Sequence, residues 1–252
     1  MIISKKEFKK ELKDALKFIS KNPFNYAISH VFLYNDFIVT ADGYILYEKE
    51  TKIFNDLLKN DNIFLNYKDL KIFFDELNFI RSDEVKIKKE KDFLIVSDIQ
   101  ETKKIKLLYF TDIQYPDYKR IIPQAFKINL TIDKNELKKI KRYVKIYKKS
   151  FKNTVLFTFS NKTIEITFFQ KKKSDDYYTI REKIKINKEF KINENLTIAY
   201  DLNYLKDILS VFNEKIEIGI TGDSSQTLFT SKNKNIVLMP VRKDFLNKVK
   251  KD

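Results

Sequence analysis

Several residue types that build common functional sites are absent or scarce in this chain of 252 residues. It has no cysteine, no tryptophan and one histidine, His30. Without cysteine there are no disulfides, no thiolate nucleophiles and no cysteine-ligated metal sites. A single histidine offers little for acid–base chemistry or zinc binding, so we expect His30 to be structural. The sequence also lacks a Gly-rich phosphate loop and a nucleophile motif, which predicts a protein that is not an enzyme and uses no cofactor or metal.

Long apolar runs are lacking as well. No stretch approaches the roughly 18 apolar residues of a membrane-spanning helix, and the basic residues 1–21 lack the apolar block of a signal peptide. We therefore expect no membrane association and a cytoplasmic location. Hydrophobic residues nevertheless make up 43% of the chain and aromatic residues 14%, which predicts a folded core rather than a disordered chain.

Positive charge is abundant and unevenly distributed. The formal net charge is +15; residues 1–123 contain 22 basic and 20 acidic residues, whereas residues 124–252 contain 28 and 15. Such an excess is typical of a protein with a polyanionic partner. A lysine-rich genome would produce the same composition, and composition alone does not separate the two explanations.

Two helices of similar design are predicted about 130 residues apart. Ser4 and Asp133 each precede a helical pattern, and each has a glutamate three positions later, which is the spacing of a capping box. The patterns run to about residues 20 and 149. Each helix pairs an apolar stripe with a basic stripe, made of Lys6, Lys10, Lys13 and Lys17 in the first helix and of Lys138, Arg142, Lys145 and Lys149 in the second. An ordinary solvated face is the alternative explanation for either stripe.

The order of elements then repeats along the chain. Second helices are predicted over Tyr67–Phe79 and Asp201–Phe212, with short strands before and after them. This repeat predicts an α+β protein of two domains, 1–122 and 123–252, each with two helices packed on an antiparallel sheet. The proline-containing stretch Gln114–Pro123 is the predicted linker, and 243–252 form a basic tail.

Five segments carry a family resemblance. They are Ala41–Leu46 (ADGYIL), Tyr115–Pro123 (YPDYKRIIP), Ala199–Leu209 (AYDLNYLKDIL), Thr221–Ser225 (TGDSS) and Met239–Arg242 (MPVR). In order and spacing the last four resemble the C-terminal domain of the bacterial sliding clamp, the β subunit of DNA polymerase III. The first resembles the Ala-Thr-Asp-Gly-His-Arg-Leu segment of the clamp's middle domain, with Tyr44-Ile45 in place of His-Arg.

The resemblance implies a DNA polymerase processivity factor. Rings of this family contain six such domains, and each protomer of a bacterial clamp has three and closes the ring as a dimer. This chain resembles only the middle and last domains, so we predict a six-domain ring made by a homotrimer with head-to-tail contacts. The basic stripes would face double-stranded DNA and hold it without reading its sequence. The family's apolar contact between protomers corresponds to Ile146 and Tyr147, although Ile146 is equally explained as a single exposed isoleucine.

The resemblance also implies a docking cleft for peptides of the replicative polymerase and the clamp loader, located at the junction of the middle and last domains. Motif by motif, its walls correspond to Gly43, Tyr44, Ile45, Leu46, Pro116, Arg120, Ile121, Val237, Met239, Pro240, Val241 and Arg242. Apolar walls would supply most of the affinity for a peptide, and the arginines would orient it.

Two other functions remain compatible with the sequence. One is a clamp-like adaptor that binds partner peptides without encircling DNA, which a strictly monomeric mass would favour. The other is a basic protein that binds single-stranded DNA, which calls for aromatic side chains interleaved with lysine. The aromatic residues of the predicted helices lie mostly on the apolar stripes instead.

Overall fold

The structure is a computed structural model that describes residues 1–22, 24–58, 61–147, 150, 153–171, 177–187 and 194–242. The chain divides into two compact units, Met1–Tyr118 and Lys119–Asp252. The division falls four residues before the boundary predicted from the sequence. The predicted tail, residues 243–252, lies outside the described residues.

Unit 1 alternates short strands and helices. Its elements are β1 (Ile2–Ser4), α1 (Lys5–Ala15), β2 (His30–Tyr34), β3 (Phe37–Ala41), β4 (Ile45–Glu50), the short α2 (Asn55–Leu58), β5 (Ile63–Asn66), α3 (Tyr67–Leu77), β6 (Glu84–Lys89), β7 (Phe93–Ser97) and β8 (Lys104–Leu108). All strand pairs in this unit are antiparallel, in the orders β5-β2-β3-β4 and β1-β6-β7-β8. Phe8 of α1 packs against Phe54 and against Phe73 of α3, with ring centroids 6.0 and 6.1 Å apart. The aromatic core therefore joins both long helices of the unit.

Unit 2 repeats this order. Its elements are β9 (Ile128–Ile132), α4 (Lys134–Ile146), β10 (Thr154–Ser160), β11 (Thr163–Lys171), β12 (Tyr177–Lys185), β13 (Leu196–Asp201), α5 (Leu202–Val211), β14 (Ile216–Ile220), β15 (Thr227–Ser231) and β16 (Lys234–Leu238). Its strands pair in the orders β13-β10-β11-β12 and β9-β14-β15-β16, again antiparallel. These orders match those of unit 1 strand for strand, which confirms the predicted α+β class and the repeat.

A second repeat lies inside each unit. Each half of a unit has the order strand, helix, strand, strand, strand, and the first strand of each half joins the sheet of the other half. In unit 1, β1 pairs with β6 and β5 pairs with β2. In unit 2, β9 pairs with β14 and β13 pairs with β10. The two halves of a unit are thus interlocked.

Each long helix begins immediately after a strand, at a side-chain N-cap. Ser4, Asn66, Asp133 and Asp201 accept hydrogen bonds from backbone N–H groups of the first turn. Such caps satisfy donors that the helix itself leaves unpaired, so they fix where the helix starts. At Asp133 the capping box is complete, because the Glu136 carboxylate accepts a hydrogen bond from the Asp133 backbone N–H.

The first helix is shorter than its periodicity predicts. It ends at Ala15, and a 3₁₀ turn, Leu16–Phe18, follows. Here the Thr40 hydroxyl donates a hydrogen bond to the Ala15 carbonyl at 2.9 Å, and the Phe18 ring stacks on Tyr47 at 5.0 Å. Tertiary packing therefore ends the helix, and residues 16–20 do not continue it as the sequence pattern predicts.

Candidate nucleic-acid and docking surfaces

The predicted basic stripe of unit 2 lies on the solvent face of α4. Leu137, Ile140 and Val144 form its buried side. Three of the four predicted cations, Lys138, Arg142 and Lys145, are exposed on the same helix. The fourth, Lys149, lies outside the described residues.

The stripe of unit 1 is arranged differently near its end. Lys6, Lys10 and Lys13 are exposed on α1, and Lys13 Nζ also lies 5.6 Å from the centroid of the Phe74 ring. Lys17 belongs to the 3₁₀ turn that follows α1, and its Nζ pairs with Asp14 Oδ1 at 2.9 Å. The helix itself therefore presents three of the four predicted lysines.

Other lysines of the same helices have an internal task that the sequence pattern does not indicate. Lys5 Nζ donates to the Ile80 carbonyl at 2.6 Å, Lys9 Nζ donates to Asn78 Oδ1, and Lys141 Nζ donates to the Phe212 carbonyl. These acceptors lie just past the C-terminal ends of α3 and α5, where a cation is favoured. Burial is the main cause that lowers the pKa of Lys9 and of Lys141.

Basic character is concentrated on the first helix of each unit. The α3 segment contains two lysines against three acidic residues, and α5 contains one lysine and one aspartate. Of the two long helices in each unit, the first therefore carries the larger excess of positive charge.

The predicted docking residues of unit 1 lie at the turn before β4. Asp42 Oδ1 accepts hydrogen bonds from the N–H groups of Tyr44 and Ile45, at 2.9 and 3.1 Å, and Gly43 adopts φ 98°, which favours glycine. This turn leaves Tyr44 65% exposed, whereas Ile45 and Leu46 are buried. Tyr44 is thus the most accessible of these three side chains.

The first part of the Tyr115–Pro123 motif attaches the chain to unit 1. The Tyr115 ring lies 4.9 Å from Phe32 and 6.3 Å from Tyr118, and both tyrosines are largely removed from solvent. Burial raises the pKa of both phenols, and the Glu48 carboxylate adds to the effect at Tyr118. Pro116, between them, is exposed.

The predicted docking residues of unit 2 fall into two groups. Arg120 and Ile121 are exposed in a short 3₁₀ turn, Tyr118–Ile121. The other group follows β16, where Val237 is buried, Met239 is 43% exposed, and Pro240, Val241 and Arg242 are partly or fully exposed. The Val241 N–H donates to the Ala199 carbonyl at 2.8 Å. This bond places Val241 beside Ala199 in β13, which lies two residues before Asp201, the N-cap of α5.

The two residues predicted to join neighbouring protomers differ in their surroundings. Ile146, the last residue of α4, is 54% exposed. The Tyr147 hydroxyl donates to Glu182 Oε1 at 2.8 Å, and its ring lies 4.8 Å from Phe168. Tyr147 is therefore fixed on β11 and β12, which leaves Ile146 as the accessible apolar side chain of the pair.

Metal binding and membrane spanning can also be judged from the described residues. Within the described residues, no group of three or more His, Asp or Glu side chains could hold a metal ion. None of the helices described here is both long and apolar enough to cross a membrane.

His30 is buried, its Nδ1 lies 2.8 Å from the Tyr26 carbonyl, and its Nε2 lies 3.2 Å from Asn66 Nδ2. These contacts give it the structural role expected from the sequence.

Comparison with known proteins bears on both units. The family described as "DNA polymerase III beta subunit, C-terminal domain" matches residues 119–242. No curated protein sequence matches the chain. Among solved structures, the DNA polymerase III beta subunits of Thermotoga maritima and Borrelia burgdorferi are 19% and 20% identical to it, with TM-scores of 0.74 and 0.75. The sliding clamp of Bacillus subtilis is 18% identical with a TM-score of 0.75.

The coverage of these matches is uneven. Each of the three covers 96% of this chain, but the chain spans only 65%, 64% and 64% of their respective lengths, slightly less than two-thirds. The DNA polymerase III beta subunit is a processivity factor and not an enzyme, in agreement with the prediction from the sequence. Residues 119–242 therefore match the family formed by the C-terminal domain of the DNA polymerase III beta subunit, and the chain as a whole has the fold of the bacterial sliding clamps.

Proposed function

We propose that this protein is a sliding clamp that encircles duplex DNA and docks peptides of a replicative polymerase and a clamp loader. The observation that carries the proposal is the clamp fold over 96% of the chain, with an exposed basic stripe on the first helix of each unit. A role of this kind on DNA fits a cytoplasmic location.

The stripes supply a sequence-independent hold on DNA. Lys6, Lys10, Lys13, Lys138, Arg142 and Lys145 are exposed on α1 and α4. Helix-borne cations attract phosphates, and contacts to phosphate carry no sequence information. A protein that must move along any DNA needs this kind of attraction. Lys17 and Lys149 remain proposed members of the stripes.

Ring closure by three chains is the proposed assembly. Six domains make a ring in this family, and each chain provides two units. In the described sheets β8 and β12 are end strands with one neighbour each, so their free edges are suited to pairing with another copy. Ile146 follows the basic stripe on α4, and Tyr147 lies against β12, so both are suited to a contact at that edge.

Peptide docking is proposed for the accessible members of the predicted cleft. Tyr44 in unit 1 and Met239, Val241 and Arg242 in unit 2 offer apolar contact and one fixed charge, and Gly43, Pro116, Arg120, Ile121 and Pro240 supply the surrounding surface. The buried members of the predicted cleft would pack under these residues and hold them in place; they are Ile45, Leu46 and Val237. Methionine suits a surface that accepts several partners, because its side chain adapts to different shapes.

The oligomeric mass and retention on DNA test the ring. We expect light scattering to give about three times the 30.2 kDa chain mass. After loading on nicked circular DNA, the protein should stay bound at high salt and be released when the circle is cut, because a topological link has no need of charge attraction. A strict monomer that never remains on circles would contradict the ring and fit the peptide-binding adaptor instead.

Charge reversal on α4 tests the proposed inner surface. The triple variant Lys138→Glu, Arg142→Glu, Lys145→Glu should lose loading on circular DNA while keeping its mass and peptide binding. The matched control, Lys127→Glu, Lys215→Glu, Lys232→Glu, makes the same change of charge at exposed positions of unit 2 that lie outside α4 and β12. Equal loss of loading in both variants would show that net charge alone matters, and would refute the assignment of α4.

Substitution of Met239 tests the docking surface. Met239→Ala and Arg242→Ala should each weaken binding of a polymerase C-terminal peptide by about tenfold or more, the range expected when a central anchor is truncated. Ile146→Ala is the control, because it removes an exposed apolar side chain from a different surface. Unchanged peptide affinity in both cleft variants would rule out this surface.

A further inference from the structure

The outer face of the β1-β6-β7-β8 sheet is rich in lysine. Along β6, Val85 and Ile87 point into the core, and the alternating residues Lys86 and Lys88 point out. Register across the sheet places Lys86, Ser97 and Lys104 in one row, and Lys88, Ile95 and Lys106 in the next. With strands about 4.8 Å apart and alternate residues about 7 Å apart, four lysines enclose a patch of roughly 10 by 7 Å.

A single carboxylate lies within ion-pair distance of three of these lysines. Glu101, in the turn between β7 and β8, lies 2.6 Å from Lys86 Nζ, 2.6 Å from Lys88 Nζ and 3.1 Å from Lys104 Nζ. Hydrogen bonds from these lysines, that of Lys86 first, hold the pKa of Glu101 far below its usual range. One negative charge thus faces three positive charges, and the patch keeps an excess of cations.

The turn fixes this carboxylate in place. Glu101 adopts φ 56°, a conformation that residues other than glycine rarely adopt. Its N–H donates to the Asp98 carbonyl at 3.0 Å, and Asp98 Oδ1 accepts from the Lys103 N–H at 3.1 Å. Unusual backbone angles of this kind are often found where a side chain is held for a function.

An aromatic ring borders the lysines. Phe93, at the start of β7, is partly exposed on the same face and lies opposite Leu108 in the register. Lys106 Nζ lies 5.5 Å from the centroid of its ring. Lysines next to an accessible aromatic ring are the combination by which proteins hold single-stranded nucleic acid, through phosphate attraction and base stacking.

We propose that this outer face of unit 1 binds single-stranded nucleic acid. In the free protein the Glu101 carboxylate occupies the position among the lysines that a phosphate group takes in the complex. The site is distinct from the basic stripes of α1 and α4 and does not depend on ring closure. A single strand fits better than a duplex, because its bases are free to stack on Phe93. Unit 2 carries a smaller version, in which Glu165 lies 3.3 Å from Lys183 Nζ and 4.0 Å from Arg181 Nε on β11 and β12.

Binding of a short, fluorescently labelled thymine oligonucleotide to the full chain, measured by fluorescence anisotropy, tests the site. The triple variant Lys86→Gln, Lys88→Gln, Lys106→Gln should bind at least tenfold more weakly. Its plot of log affinity against log salt should be shallower by a slope of about 2, because each of the three lost phosphate contacts contributes roughly 0.7. Glu101→Gln keeps the side-chain size and should bind about threefold to tenfold more tightly, because the competing anion is gone.

Control variants separate this site from the proposed clamp function. Lys138→Gln, Arg142→Gln, Lys145→Gln removes the same charge from α4 and should weaken oligonucleotide binding less than the sheet variant, while the sheet variant should still load on circular duplex DNA. Equal losses in the two variants, or a Glu101→Gln protein that binds no more tightly, would overturn the site. Competition by polyglutamate as strong as that by the oligonucleotide would also overturn it, by indicating an acidic protein partner.

Discussion

His30 lies where three segments of unit 1 meet. Its Nδ1–H donates to the Tyr26 carbonyl, its Nε2 accepts from the Asn66 side-chain amide, and its ring lies 5.6 Å from that of Phe110. Asn66 in turn caps α3 through Lys68 N–H. The neutral imidazole therefore links the loop before β2 to the start of a helix, and a second ring proton would break the bond to Asn66.

The stability of unit 1 should depend on pH near neutrality through this one residue. Burial lowers the pKa of His30, opposed by the Tyr26 carbonyl and by Asp69. The folded state then binds fewer protons than the unfolded state, so the contribution is fully present above about pH 6.5, the unfolded value, and is lost as the pH falls toward the lower folded value. Denaturant titrations between pH 8 and 5 measure this loss.

The His30→Gln variant is the control, because the chain has no other histidine. It should be less stable at pH 8 but should show a flat profile over the window in which the wild-type profile slopes. Carboxylates titrate lower, near pH 4. A wild-type profile that is equally flat would refute the assignment.

Gly219 in β14 leaves no room for a side chain unless the Phe126 ring moves. A Cβ there would lie 2.5 Å from two ring carbons of Phe126. Gly219→Ala should therefore cost about 1–3 kcal/mol of unfolding free energy through overpacking. The double variant with Phe126→Ala should cost less than the sum of the two single variants, because the clash is gone. Simple additivity in urea unfolding would contradict this contact.

The two basic helices, α1 and α4, should differ in how strongly their N-caps stabilise them. Asp133 Oδ1 accepts from Asn135 and Glu136 N–H at 2.7 and 2.8 Å, and its other oxygen accepts from Asn187 Nδ2 at 2.6 Å. Ser4 accepts one bond, from Glu7 N–H at 3.4 Å. Asp133→Ala should cost about 1–2 kcal/mol and Ser4→Ala about 0.5 kcal/mol. Equal losses in thermal unfolding would contradict the difference.

The sequence predicts the helices better than the strands for a physical reason. Helix stripes and the caps at Ser4 and Asp133 are local signals, read within about four residues of each other. The strands β1, β5 and β13 are short and lie directly before helices, so no alternating pattern marks them, and each is defined by its pairing with a distant partner strand. Pairing of this kind is not written in local periodicity.

The candidate sites show the same limit. Exposed stripe positions such as Lys138 and Arg142 follow from helical spacing, but Lys5, Lys9 and Lys141 look the same in the sequence and bind the ends of neighbouring helices instead. The convergence of three lysines on Glu101 depends on strand register, which local sequence does not reveal. The turn that places Glu101 has a left-handed residue, Glu101 itself, and no glycine marks the position in the sequence.

For the whole molecule, the proposed ring predicts two kinds of DNA binding with different responses to salt. Binding of the free ring to short linear duplex should weaken steeply as salt rises, with a slope of about 0.9 per phosphate contact. Rings already loaded on closed circles should leave at a rate that salt barely changes, because leaving requires an interface between protomers to open. Surface plasmon resonance with blocked and free DNA ends measures both, and identical salt responses would contradict encirclement.

The exchange of first strands within each unit has a consequence for how the protein comes apart. β1 belongs to the sheet of the second half, and β5 belongs to the sheet of the first half. Neither half can therefore detach unless a strand is pulled out of a sheet. Each unit should therefore melt as one body, and a backbone cut between β4 and β5 should leave two fragments that still hold together.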